Sequence, residues 1–141
     1  MQLISIIMPY YRKIDSVKRT IKSVINQTYK KFELIIVYDD EVLEDYYKIK
    51  NLVRNNKKIK LIKNIKNIGA GKSRNIGISN SNGNIITFID SDDTWHPQKL
   101  KKQLNFLNEN NYNFIFCGYK KILKKKSIKV KINSKYLEYK D

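Results

Sequence analysis

Cysteine, histidine and tryptophan are almost missing from this sequence, with one of each in 141 residues. Cys117 has no partner for an internal disulfide, so nothing points to an oxidising compartment. The lone His96 supports neither a zinc site nor a catalytic dyad. No apolar run approaches the ~20 residues that a bilayer-crossing helix needs. The apolar opening, Met1-Gln2-Leu3-Ile4-Ser5-Ile6-Ile7-Met8, has no basic leader and no small-residue cleavage site. It reads as a buried first strand rather than a signal peptide. The expected location is therefore the cytoplasm. With only two prolines and five glycines there is no Pro/Gly/Ser linker, and no internal repeat is visible. The length suits one compact domain, and 41% hydrophobic with 30% charged residues is ordinary for a globular core.

Acidic residues are also scarce: 13 Asp and Glu stand against 29 Lys and Arg, a formal charge of +16. Such a surplus favours polyanionic partners. It is equally what a chain rich in Lys, Asn and Ile produces when lysines fill solvated faces. Peripheral docking on an acidic membrane surface, at the inner face, is a second expectation, since each nearby Lys contributes on the order of 1 kcal/mol. The densest basic stretch, residues 120–135, is broken by Ile122, Leu123, Ile128, Val130 and Ile132. It lacks the interleaved aromatics that stack bases, which argues against nucleic acid. Gly69-Ala70-Gly71-Lys72-Ser73 resembles a phosphate loop, but the spacing demands a further glycine where Lys66 stands. Lys72 remains available as a cation near a diphosphate.

Apolar patterning predicts alternating strands and helices. Residues 4–8 form a continuous apolar run bounded by Pro9, which suits a strand buried on both faces. Asp15 offers an N-cap to a helix carrying Val17, Ile21, Val24 and Ile25 at helical spacing. Residues 32–37 predict a second buried strand, and residues 42–52 a second helix packed by Tyr46 and Tyr47. Residues 59–62 predict a short strand, 69–80 a loop leading into a short helix, and Asn82-Gly83 a turn. Residues 85–89 predict a further strand. A helix after Pro97 places Leu100, Leu104 and Leu107 on one face. Residues 112–119 predict a last strand, with Cys117 as a buried thiol, and residues 128–132 a weaker one. Alternation of this kind predicts an α/β fold with a mostly parallel sheet.

In open α/β sheets ligands bind at the carboxyl ends of the strands. Those ends are polar here: Tyr10 and Tyr11, Asp39 and Asp40, and Asp90-Ser91-Asp92-Asp93. In extended chain Asp90 and Asp92 would face one ligand together. Crowded carboxylates repel, and a divalent cation relieves the repulsion. Mg²⁺ or Mn²⁺ suits such a site, because it takes one or two carboxylates and completes its shell with substrate phosphates. The competing reading makes the same acids a cap for the following helix, near Trp95.

Five segments together resemble the family 2 inverting glycosyltransferases of GT-A fold, over roughly residues 4–119. They are Ser5-Ile6-Ile7-Met8-Pro9-Tyr10-Tyr11, Ser23-Val24-Ile25-Asn26-Gln27-Thr28, and Phe32-Glu33-Leu34-Ile35-Ile36-Val37-Tyr38-Asp39. The others are Asn67-Ile68-Gly69 with Ser73-Arg74-Asn75-Ile76-Gly77, and Gly83-Asn84-Ile85-Ile86-Thr87-Phe88-Ile89-Asp90-Ser91-Asp92-Asp93. The resemblance implies a three-layer, Rossmann-like GT-A domain, C-terminally truncated. Residues 1–119 would bind nucleotide sugar, and the basic residues 120–141 would begin the acceptor-binding part.

It also implies roles. Asp92, with Asp90, would hold the metal, and Asp90 would lie near ribose and diphosphate. Asp39 would accept the ring N–H of uracil or thymine, Pro9 and Tyr11 would shape the base pocket, and Arg74 would lie close to the nucleotide. The donor would be a nucleotide sugar, UDP-linked by expectation, and the acceptor a glycan or lipid-linked glycan of a bacterial surface polysaccharide. Two departures stand out. The family has paired acids and then Gly-Ser where this chain reads Tyr38-Asp39-Asp40-Glu41, so a one-residue slip would assign Asp40 instead of Asp39. The general base is expected beyond Asp141, since the late acids Glu138 and Asp141 do not suit the role.

Overall fold

The structure, a computed structural model, describes residues 2–123 and 126–130. Glu138, Asp141, Ile132 and most of the expected C-terminal segment lie outside the described residues. The chain divides into two compact units, Met1–Lys102 and Gln103–Asp141.

The first unit is built on four parallel strands in the order β3-β2-β1-β4. They are β1 (Ile4–Tyr10), β2 (Phe32–Tyr38), β3 (Ile59–Lys63) and β4 (Ile85–Phe88). The all-apolar runs take the centre: every residue of β1 and all but one of β2 are buried, whereas β3 and β4 at the edges are half-buried. β1 continues through Pro9 instead of stopping before it. The Ile7 carbonyl accepts from Ile89 N–H while the Tyr10 carbonyl accepts from Asp39 N–H, so alternate residues address alternate neighbours. Pro9 shares the side of Ile7, past the last β4 residue in register, and its missing N–H has no ladder partner to lose.

Helices α1 (Ile14–Ile25), α2 (Leu43–Val53) and α3 (Ala70–Ser79) join successive strands. Right-handed crossovers put α1 and α2, which touch each other, on one face of the sheet, and α3 on the other. The predicted stripe on α1 is buried at Val17, Ile21 and Val24, while Ile25 is exposed. Asp15 sits inside the first turn and Lys13 takes the cap position without a side-chain cap, so the acid helps the helix by charge alone. On α2, Tyr46 packs edge-on against Tyr38, and Tyr47 is exposed.

α3 fills almost the whole of residues 69–80, leaving little of the expected loop. It starts after Gly69, whose φ of 87° lies where a side chain is strained. Gly77 lets α3 close on β1, since a Cβ there would fall 2.4 Å from Ile7 Cγ2. Gly71, by contrast, faces open space. Gly71→Ala is expected to stabilise the domain by about 0.5–1 kcal/mol, read from the urea midpoint, because helical alanine loses less backbone entropy. An unchanged or lowered midpoint would contradict the open surroundings of Gly71.

α4 (Lys99–Asn110) begins two residues after Pro97 and crosses from one unit to the next; Leu100 and Leu104 are buried. In the second unit β5 (Tyr119–Leu123) pairs antiparallel with β6 (Lys126–Val130), which covers part of the weak strand expected at 128–132. The strand expected at 112–119 is not formed: residues 112–118 join no ladder, and only Tyr119 is in a strand. Phe114, Phe116 and Cys117 are exposed, so Cys117 is not the buried thiol its apolar neighbours predicted. An apolar run becomes a strand only where another strand offers it hydrogen bonds, and none does so here among the described residues.

Candidate nucleotide and metal site

The chain order β1, β2, β3 runs outward to one side of β1, and β4 then returns to the other side. The topological switch point therefore lies between β1 and β4, where open parallel sheets form their ligand crevice. The segments leaving these two strands, residues 11–13 and 89–93, are where the chemistry collects.

After β4 the chain turns at once: Asp93 N–H donates to the Asp90 carbonyl at 3.0 Å. The acids are thus carried on a turn and not on the extended segment that alternate spacing assumed. Asp90 pairs with Arg74 of α3 at 2.7 Å, and Asp92 pairs with Lys13 at 2.9 Å. The second pair ties the exits of β1 and β4 across the switch point. Both pairs are open to solvent and add little to stability, so their cations are free to be exchanged. Burial, and then the charges of Asp92 and Asp90, raise the Asp93 carboxyl above its ordinary range.

The helix-cap reading of these acids fails on geometry. α4 does not begin until Lys99, and Trp95 N–H donates to Ser23 Oγ at 3.1 Å instead of to an aspartate. His96, exposed, accepts Gln98 N–H at Nδ1, and Trp95 is half-buried beneath the Lys99 ammonium.

Asp39 and Asp40 are turned inward. Asp39, 2% exposed, accepts from Asn64 Nδ2 at 2.7 Å, Ile68 N–H at 2.9 Å and Gly69 N–H at 2.8 Å. Its carbonyl accepts from Asn67 Nδ2. Oδ2 holds only the Gly69 amide, which leaves acceptor capacity there. Asp40 accepts Arg12 N–H at 3.1 Å and Glu41 N–H at 2.8 Å, fixing the loop after β1 in which Arg12 takes a left-handed φ of 47°. Tyr11 is 45% exposed with the Arg12 guanidinium over its ring, and Pro9 is buried. Behind them Tyr10 stacks on Tyr38 and donates to Asp45. Burial, with the charges of Asp40 and Asp45, pushes the Tyr38 hydroxyl up to about 12, so it stays protonated.

The structure thus pairs Arg74 with Asp90, sets Asp92 in the same turn, and gives Asp39 a place beneath the loop that starts α3. Lys13, Asn64 and Asn67 were missed in the sequence. The signal for Lys13 was its place at the exit of β1; Asn67 stood in the Asn67-Ile68-Gly69 segment without a role, and Asn64 gave no pattern. No three acids, histidines or cysteines among the described residues converge to cage an ion unaided. Two exposed carboxylates do fit a small hard cation that keeps waters and takes phosphate oxygens for the rest of its shell.

Comparison with known proteins agrees with this architecture. The family model described as Glycosyl transferase family 2 matches residues 5–140. An uncharacterized glycosyltransferase of Haemophilus influenzae is 38% identical over 99% of this chain and 56% of its own length. The Escherichia coli UDP-Glc:alpha-D-GlcNAc-diphosphoundecaprenol beta-1,3-glucosyltransferase WfgD is 37% identical over 83% of this chain and 46% of its own. Against these two relatives the chain spans about half their length. Among solved structures, S. aureus TarS 1-349 in complex with UDP-GlcNAc is similar at a TM-score of 0.71 and 27% identity, over 79% of this chain and 32% of that one. Sheet, switch point and sequence agree: the chain belongs to glycosyl transferase family 2 and has the α/β, mostly parallel GT-A architecture.

Proposed function

We propose that this chain is the nucleotide-sugar-binding part of a glycosyltransferase that takes a UDP-sugar and passes the sugar, with inversion, to a glycan or lipid-linked acceptor. The observation carrying this reading is the pair of exposed carboxylates at the switch point, Asp90 and Asp92, each held by an exposed cation. The UDP-GlcNAc complex of TarS and the UDP-Glc donor named for WfgD support the choice of nucleotide.

In this reading Asp92 and Asp90 hold Mn²⁺ or Mg²⁺, which when bound supplies charge to neutralise the departing diphosphate. Arg74 and Lys13 provide positive charge on flexible stems beside the same acids, suited to diphosphate oxygens. Tyr11 offers an exposed ring to the base, with Pro9 behind it, and Oδ2 of Asp39 accepts the ring N–H of uracil. The proposed setting is the cytoplasm, peripheral on the inner membrane face, where a charge of +16 meets anionic headgroups. A second reading, donor binding without turnover, uses the same site.

Calorimetric titration with UDP tests both. UDP should bind more tightly with Mn²⁺ than with excess chelator, and Asp92→Ala should weaken Mn²⁺-dependent binding by about tenfold or more, about 1.4 kcal/mol. No UDP binding, or binding indifferent to Asp92→Ala, sinks the proposal. Release of free UDP from a UDP-sugar by this chain alone then selects the first reading over the second.

A further inference from the structure

One face of α1 carries Ser16, Thr20 and Ser23, whose spacing of four and three puts them on a single stripe, and Gln27 follows just past the helix end. Thr20 and Gln27 are fully buried. Buried polar side chains are costly unless bonded; besides bonds to the carbonyls of residues 13, 16, 20 and 23, each of these four reaches a partner in residues 91–100. Ser16 Oγ and Thr20 Oγ1 both reach the Ser91 carbonyl, at 3.1 and 3.0 Å. Ser23 Oγ accepts Trp95 N–H. Gln27 donates to the His96 carbonyl at 2.8 Å and accepts Leu100 N–H at 3.1 Å. Just past the helix, Thr28 N–H donates to the Pro97 carbonyl at 2.8 Å.

Residues 90–98 belong to no strand or helix. Their conformation is dictated by α1 instead of by a ladder. Ser91 stands between Asp90 and Asp92, so holding its carbonyl fixes the peptide plane from which Asp92 departs. Ser16 Oγ lies equally close to the Lys13 carbonyl, 3.1 Å away, and so also braces the residue paired with Asp92.

We infer that Thr20, with Ser16 beside it, is a positioning residue for Asp90 and Asp92, setting their carboxylates through the Ser91 carbonyl. The inference rests on the nucleotide-and-metal reading above and adds to it the element that organises the site.

Thr20→Val keeps the shape and removes the hydroxyl, and Thr20→Ser restores it. For Thr20→Val, UDP affinity in Mn²⁺ should fall about tenfold, the scale set by partners that orient metal ligands. Affinity in chelator should change less than about twofold, and Thr20→Ser should return the Mn²⁺ value toward wild type. Amide hydrogen exchange, read without any ligand, should speed up at Asp92, Asp93 and Trp95 in Thr20→Val. If wild type binds Mn²⁺ and UDP but Thr20→Val matches it, the inference is overturned. If wild type binds no UDP, the functional proposal falls, and unchanged exchange in Thr20→Val would overturn the positioning role as well. Should Thr20→Val not fold, Ser16→Ala takes its place: faster exchange at Asp92 with weaker Mn²⁺-dependent binding supports the inference, and neither change overturns it.

Discussion

Asp39→Ala is expected to lower the unfolding free energy by about 3 kcal/mol, measured as a fall in the urea midpoint at constant slope. The carboxylate is buried and receives three donors, two of them main-chain amides of Ile68 and Gly69 just before α3. Hydrogen bonds to a charged group contribute about 1.5–3 kcal/mol each, and each buried donor left unmet costs about 1–3. The losses do not add fully, because the three donors share one acceptor and water can enter the gap. Asp39→Asn should fall between, since it keeps one acceptor and turns an amide N–H toward at least one donor. A loss below about 1 kcal/mol for Asp39→Ala would mean that the loop carries itself. The result also bears on the site: Asp39 supports the start of α3, the helix that carries Arg74, whether or not it meets a base.

Gly83→Ala should cost about as much, roughly 3 kcal/mol, by overpacking. The residue needs no unusual backbone angle; its φ is not positive. What excludes a side chain is proximity: a Cβ would lie 2.6 Å from Ser5 Oγ, 2.7 Å from the Leu3 carbonyl oxygen and 2.7 Å from Ser5 N. Two of these atoms are main chain leading into and within the central strand β1. The loop would have to withdraw, breaking the Gly83 N–H bond to Ser5 Oγ and disturbing the Glu33 carboxylate that binds Asn82 and Ser5. Trimming Ser5 to alanine removes one clash and leaves the main-chain pair, so Ser5→Ala with Gly83→Ala should not recover wild-type stability. Recovery in thermal melts would show that the hydroxyl alone sets the limit.

Gly83 also shows how far a sequence alone can be read. Asn82-Gly83 looked like a turn because glycine is most often needed for its backbone freedom; here it is needed for its small size, a property of the fold and not of local sequence. β1 and β2 were legible because a run buried on both faces has no alternative burial. Residues 112–118 look equally apolar but have no neighbouring strand among the described residues, and apolarity alone cannot supply one. The resemblance put Asp90 and Arg74 each near a nucleotide but did not pair them, and the Lys13–Asp92 pair required knowing that β4 returns beside β1. The polar stripe on α1 was harder still. Helical patterns are read from their apolar residues, and serines and threonines at the same spacing look like a wetted face until the segment that covers them is seen.

The arrangement of β1 between two partners has a consequence for synthesis. β2 follows within 40 residues, but β4 comes only at Ile85. At a ribosomal pace of about 5–20 residues per second, roughly 50 residues separate the two partners, a delay of about 3–10 s. During that interval one flank of a strand buried along its whole length in the fold has no neighbour, an open template for another nascent chain. The four residues of β4 close that gap and the acidic turn at residues 90–93 follows directly, so the carboxylates and protection from aggregation arrive in the same step of translation.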